Sequence, residues 1–280
     1  MKAGFLLIST CLSLLLVQGC SQEEEQVSIP VEKKEVVEVL EKVPEEAVKP
    51  IDLSTFERKP MQWGEQVDGV RTRMKTNEKK VALTFDACGG AHGSGYDEEL
   101  ISFLRAEQIP ATLFLNERWI HTNEALFLEL AADPLFQIEN HGTEHAPLSV
   151  AGGEAWGIKA TSSPQEAYDE IMNNHKTVKA LTGKEMMMFR SGTAYYDEVA
   201  VQLAKELGYQ VVNYDVLGDA GATFSSEQVK QALTGAKAGS IALLHMNQPQ
   251  SGTAEGVKQA VPVLREQGFE FMLLENEILQ

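Results

Sequence analysis

The stretch Val81-Ala82-Leu83-Thr84-Phe85-Asp86-Ala87-Cys88-Gly89-Gly90 decides how the rest of the chain is read. Val81 to Phe85 is a short run of apolar and β-branched residues, the composition of a buried strand. A carboxylate, Asp86, follows at once, and then a glycine-rich turn. A buried strand that ends in a titratable side chain and a loop belongs to a parallel α/β sheet, where sites gather at the C-terminal ends of strands.

The same unit recurs on either side. Residues 98–107 place Leu100, Ile101 and Leu104 on one helical side. Pro110 stops that helix, and 111–115 (ATLFL) reads as a second strand. Asn123 is the expected N-cap of a helix through 132, and 136–140 is a third strand. A loop rich in Gly, Ser and Thr spans 149–163. Pro164 then opens a long helix to about residue 181. Strands are expected at 186–190, 211–214, 241–244 and 269–274. Helices are expected at 196–207, 225–236 and 253–267. Seven strands separated by helices imply an α/β fold with a parallel sheet or barrel, and about seven βα units in place of eight make an incomplete or distorted (β/α)7 barrel the expected form.

Chemically capable side chains follow these strands. Asp86 follows the first, His141 and His145 the third, Arg190 ends the fourth, Asp215 and Asp219 follow the fifth, and His245 the sixth. His141-Gly142-Thr143-Glu144-His145 is the strongest local signal, because two imidazoles four residues apart can meet one metal ion after a turn. Zinc commonly takes three protein ligands and leaves a fourth position for water, whose pKa drops to ~7. The segment lacks a glutamate directly after the first histidine and follows a strand, which argues against an HExxH protease.

Taken together, these segments resemble the polysaccharide deacetylase family, with its NodB homology domain, over about residues 80–275. Thr84-Phe85-Asp86-Ala87-Cys88-Gly89 resembles the family's TFDDG motif, and Asn140-His141 through His145 its H-[ST]-x-x-H motif. Phe189-Arg190-Ser191-Gly192-Thr193 stands where RPPY is usual. Asp215 to Asp219 occupies the D-x-D-x-x-D-W region, and Leu244-His245 resembles the closing L-x-H element. The resemblance implies a NodB-like barrel and metal-assisted removal of N-acetyl groups from an N-acetylated polysaccharide. It implies a divalent metal, usually zinc, on His141 and His145, with Asp86 as base and His245 as acid. Asp219 would orient His245, Arg190 would pair with Asp86, and the Thr193 N–H would serve the oxyanion.

The departures from the family pattern carry information of their own. The family's metal-ligating aspartate is replaced by Ala87, leaving the third ligand open among Asp86, Cys88 and Asp97, with His92 also near in sequence. Gly89, Gly90, Gly93 and Gly95 imply backbone packed closely against something. Ser191 and Gly192 replace two prolines, and Ala220 replaces a tryptophan. Tyr195, Tyr196 and Trp119 are candidate sugar-stacking surfaces. Two other readings stay open: a catalytically silent glycan-binding domain, which Ala87 favours, and a hydrolase of another amide.

The N-terminus reads as an address. Lys2 precedes an apolar run from Phe5 to Val17, shorter than the ~20 residues that span a bilayer. It ends in Leu16-Val17-Gln18-Gly19-Cys20, which resembles a lipobox. The expected organisation is a lipoprotein signal peptide at 1–19, a lipidated Cys20 with a flexible acidic tether at 20–60, and a catalytic domain at 61–280. The protein is thus expected to be exported and held on the membrane of a bacterial cell envelope by its lipid anchor. With 41 acidic against 24 basic residues the formal net charge is −17, which argues against a nucleic-acid partner.

Overall fold

The computed structural model describes residues 51–280. The expected signal peptide, Cys20 and most of the expected tether lie outside the described residues. The expected boundary at residue 60 moves: residues 51–60 belong to the folded unit. Leu53–Phe56 forms a 3-10 turn capped by Asp52, and Phe56 is buried. Two backbone N–H groups just beyond, at Met61 and Gln62, donate to the Glu198 carboxylate at 2.8 Å each.

The strands are β1 (Lys80–Ala87), β2 (Ala111–Leu115), β3 (Phe136–Asn140), β4 (Glu154–Ala155), β5 (Ile158–Lys159), β6 (Met188–Phe189), β7 (Gln210–Val211), β8 (Val216–Leu217), β9 (Ser240–His245) and β10 (Glu270–Phe271). The helices are α1 (Glu98–Ala106), α2 (Glu117–Thr122), α3 (Glu124–Ala132), α4 (Pro164–Thr182), α5 (Glu198–Glu206), α6 (Ser226–Thr234) and α7 (Thr253–Glu266). Seven strands run parallel in the order β7-β6-β3-β2-β1-β9-β8, forming the wall of a distorted (β/α)7 barrel. β1 is central and buried along nearly its whole length, as a strand covered on both faces must be.

The ladder is open between β7 and β8. The chain before β1 lies across that gap: Arg71 pairs with Val212 and Arg73 with Ser240. The expected seventh strand at 269–274 shrinks to β10, two residues paired with the start of β1. β8 takes its place in the ring. Asn123 does not cap α3 through its side chain. Its amide instead donates to Ser94 O and Trp119 O, fastening the glycine-rich loop.

The long strands set the site by register. Asp86 on β1 lies opposite His245 on β9 and Phe114 on β2. Asn140, the last residue of β3, lies opposite Leu115 and Phe189. The ends of β1, β3, β6 and β9, with Asp86, His141, Arg190 and His245, therefore open at the same end of the barrel.

Candidate metal centre and active site

Alternation along β1 points Thr84 and Asp86 to the same face, and Arg190 ties them together. Its Nη1 donates to Asp86 Oδ1 at 2.8 Å and to Thr84 Oγ1 at 2.9 Å. Its other nitrogens donate to Val212 O and Asn213 O, and its guanidinium sits 4.1 Å from the Phe114 ring centroid. Arg190 is fully buried, and each of its three side-chain nitrogens has a hydrogen-bond partner, as a buried charge requires. Burial pushes the Asp86 carboxyl up, but Arg190, His141 and His245 together hold it below its ordinary value.

The turn after β3 delivers the two imidazoles. Asn116 donates to His141 O and Gly142 O, and Asn140 Oδ1 accepts from Gly142 N. Gly142 has φ 78°, and a Cβ there would meet Glu170 Oε1 at 2.3 Å. Glu170, on α4, accepts from Glu144 N and Ala146 N at 2.9 and 3.0 Å, gripping the backbone on both sides of His145. His145 itself has φ 63°. Gly192 explains one departure from the family pattern: a side chain there would meet His145 O at 2.2 Å. The missing proline makes room for the second histidine's backbone.

Three donors converge. Cys88 Sγ lies 3.9 Å from His141 Nε2, and the ligand atoms of Cys88, His141 and His145 all lie within 4.8 Å of one another. His141 Nδ1 is 2.9 Å from Arg190 O, which fixes Nδ1 as the protonated nitrogen and leaves Nε2 with a lone pair on the side of Cys88 and Asp86. His145 Nε2 is buried and has no hydrogen-bond partner among the described residues, a cost that a bound cation removes. Tetrahedral zinc with bonds of about 2.0–2.3 Å sets its donors roughly 3.5 Å apart, so small side-chain rotations close this set. Burial pushes the Cys88 thiol up, but the imidazoles of His145 and His245 outweigh it and hold it at about 6. A thiolate at neutral pH is a metal ligand. The residues present therefore fit a divalent metal with some soft character.

His245, across from Asp86, completes the cleft. Its Nδ1 is 2.8 Å from Asp219 Oδ1, and its backbone N–H donates to Asp219 Oδ2 at 2.7 Å. Thr253 Oγ1 donates to the same Oδ2 at 2.9 Å. Burial lowers the imidazole pKa, yet the Asp219 carboxylate, through charge and hydrogen bond, raises it well above 6.5. Asp215, the other aspartate of that region, is structural: it takes Arg73, Ser240 Oγ and Ile241 N at the opposite end of the barrel.

Other candidates fall elsewhere. Trp119 is fully buried and donates its indole N–H to Gly95 O at 2.8 Å, so it packs the loop and meets no sugar. Asp97 caps α1 through Leu100 N and lies outside the donor cluster, which removes it as a ligand. Asp86 is spoken for by Arg190, although its Oδ2 is 3.6 Å from His141 Nε2. Tyr196 is buried between Ser191 N and Asn213 Oδ1. The close approach expected of the glycines is to protein: a Cβ on Gly89 would meet Trp119 N at 2.6 Å, and one on Gly95 would meet Asn247 O at 2.7 Å. Thr193 lines the cleft, and its buried Oγ1 has no hydrogen-bond partner among the described residues. Sequence reasoning missed Trp156, Trp63 and Arg118. Trp156 and Arg118 line the cleft of about 690 Å³ with Asp86, Cys88 and His245. Trp63 and Trp156 stand beside Tyr195, with ring centroids 5.8 and 6.2 Å away.

Comparison with known proteins places this arrangement. The polysaccharide deacetylase family model matches residues 73–212, half of the chain. A peptidoglycan-N-acetylglucosamine deacetylase of Bacillus cereus is 26% identical over 215 residues, covering 75% of this chain and 93% of the relative. Among solved structures, Bacillus subtilis PdaA, a family 4 carbohydrate esterase, superposes with a TM-score of 0.62 at 20% identity, over 79% of this chain and 97% of that one. A family 4 pseudoenzyme from Bacillus anthracis gives 0.60 at 22% identity, over 72% of this chain and 66% of that one. These structural likenesses establish the fold.

Proposed function

This chain belongs to the polysaccharide deacetylase family, and we propose that it is an active metal-dependent N-deacetylase of an N-acetylated polysaccharide in the cell envelope or an exopolysaccharide. The observation that carries the reading is the convergence of Cys88, His141 and His145 within 4.8 Å of one another, beside Asp86 and His245, which line the same cleft. Ala87 favours a silent glycan-binding domain. Against that, Cys88 stands one residue further on and supplies a donor in the same cluster.

Cys88, His141 and His145 would hold the ion. When bound, a divalent metal, zinc in this reading, polarises an acetamide carbonyl and makes water acidic. Asp86, held ionised by Arg190, accepts the proton of the attacking water. Arg190 keeps the carboxylate aimed and does not itself react. The Thr193 backbone N–H donates to the carbonyl oxygen as it gains charge. His245, kept protonated by Asp219, delivers its proton to the departing sugar amine. The products are acetate and a free amino sugar, and the balance needs only water. The N-terminal sequence supports export and a lipid anchor at Cys20, which would keep the domain on the membrane beside an envelope glycan.

The test is elemental analysis of bound metal in the wild type and His141→Ala, together with acetate release from N-acetylglucosamine oligomers. One metal per chain and acetate release in the wild type only is the expected result. Stoichiometric metal with no acetate from any N-acetylated glycan would leave a silent domain.

A further inference from the structure

Arg118 lines the cleft, yet neither the metal ligation nor the proton transfers use it. It stands in the first turn of α2, just after β2 ends. Its Nε donates to Asn116 Oδ1 and its Nη2 to Cys88 O, each at 3.1 Å. Among the described residues no carboxylate is a hydrogen-bond partner of this half-buried guanidinium. Hydrogen bonds from an ionised donor are roughly twice as strong as neutral ones. An arginine that turns its fork to an amide and a carbonyl is therefore holding local structure in place.

Its two partners lead to the two halves of the donor cluster. Cys88 O belongs to the residue that presents the sulfur. Asn116 is fully buried, and its Nδ2 donates to His141 O at 2.9 Å and Gly142 O at 2.8 Å. A continuous path thus runs from Cys88 O through Arg118 and Asn116 to His141 O, across the ends of β1, β2 and β3. It joins the turn that carries the thiol to the turn that carries the imidazoles. The glycines after Cys88 fit this path. Gly89 has φ 69°, and a Cβ there would come within 2.8 Å of Arg118 Cβ. Gly90 has φ 78°, and a Cβ there would lie 3.4 Å from Arg118 Nη1. With Ala87 where the family places a ligating aspartate, the donor stands one residue on, beyond the end of β1. A donor outside the ladder, followed by two glycines, needs another restraint.

We propose that Arg118 is a positioning residue of the metal centre: through Cys88 O and Asn116 it sets the distance of the Cys88 sulfur from the two imidazoles. This rests on reading Cys88, His141 and His145 as the metal ligands. The histidines have restraints of their own. Arg190 O orients the His141 ring, and the Glu170 carboxylate grips the backbone on both sides of His145. Without the arginine, the Cys88 turn swings on its glycines and the sulfur leaves the set while the imidazoles stay.

The experiment is cobalt(II) titration of the full chain. It reads the sulfur-to-cobalt absorption band per bound cobalt, the affinity by chelator competition, and the melting temperature of the metal-free protein. Arg118→Met keeps a stem that packs over Gly89 and removes both hydrogen bonds. Arg118→Lys keeps a charged donor for one of the two oxygens. Asn123→Ala is the control: it frees Ser94 O and Trp119 O, on and beside the same glycine-rich loop, and leaves Cys88 O held. Arg118→Met is expected to bind cobalt about 10- to 100-fold more weakly, the range for groups that orient metal ligands. Its sulfur band per bound cobalt should be weaker, with the visible bands of histidine-bound cobalt retained. Arg118→Lys is expected to recover part of the band. Asn123→Ala should lower the melting temperature and keep the full band. A band weakened as much in Asn123→Ala as in Arg118→Met, or one no stronger in Arg118→Lys than in Arg118→Met, would overturn the proposal. Wild-type affinity and band in Arg118→Met would overturn the positioning role alone and leave the metal reading standing. A wild type that binds one cobalt without the sulfur band would remove Cys88 from the centre, and both would fall.

Discussion

Replacing Asp219 by Asn removes the charge that keeps His245 protonated while preserving shape. In the native site the carboxylate takes three hydrogen bonds: from His245 Nδ1 at 2.8 Å, His245 N at 2.7 Å and Thr253 Oγ1 at 2.9 Å. With that charge gone, the largest influence raising the imidazole pKa is lost and the pKa falls, although the Cys88 side chain still favours the charged form. A smaller protonated fraction at neutral and alkaline pH lowers kcat there. Lost orientation adds to this, and the whole loss is expected at about 10²- to 10⁴-fold, the range for a general acid. The sign follows from the role. A general acid works below its pKa, so the alkaline limb of kcat moves to lower pH in Asp219→Asn. KM stays within about twofold, because Asp219 touches no substrate in this mechanism. The assay is acetate release from N-acetylglucosamine oligomers across pH, with thermal unfolding to verify the fold. Thr253→Val, which removes one donor to Asp219, is expected to shift the same limb less. An alkaline limb that stays in place in a folded Asp219→Asn protein would refute the assignment of His245.

Two further outcomes follow from the geometry. Gly192→Ala puts a methyl 2.2 Å from His145 O; overpacking of this kind costs about 1–3 kcal/mol and displaces a ligand. A lower melting temperature and weaker zinc binding in a chelator competition are the expected results. Glu139 is buried, accepts from Gln137, Met187 N and Met188 N, and is pushed up by burial to about 7. A carboxyl raised in the folded state binds more protons there than when unfolded, so its contribution is fullest below about 4.5 and is lost as pH rises to about 7. That loss is on the order of a few kcal/mol. Urea unfolding at pH 5 and 7.5 should show the pH-dependent loss of stability reduced in Glu139→Gln.

Much of the site was legible because a parallel barrel makes function one-dimensional: a capable residue directly after an apolar run faces the same end as every other. Asp86, His141, His145, Arg190 and His245 were readable in this way. What failed were judgements about solvent exposure, which local sequence does not encode. Trp119 is an aromatic near the motifs, but α2 turns it inward against the glycine loop. Asp97 looks like a donor near the gap left by Ala87, yet it satisfies a helix terminus. The hairpin at 154–159 escaped because two-residue strands carry no period and Trp-Gly is a poor turn signal. β8 escaped for the same reason, and the short strand after α7 was overread. Gly192 was noted only as a missing proline, since its need is set by His145, distant in sequence.

With Ala87 unable to ligate, the metal centre stands or falls with Cys88 as the third donor. The most direct test is the ultraviolet absorption of the cobalt(II)-substituted protein. A thiolate bound to cobalt gives a sulfur-to-metal charge-transfer band that histidine and carboxylate ligands cannot produce. One equivalent of cobalt should bring up that band in the wild type, and Cys88→Ala should abolish it with weakened metal binding. Stoichiometric cobalt without the band, or a spectrum and affinity unchanged in Cys88→Ala, would contradict the proposed centre.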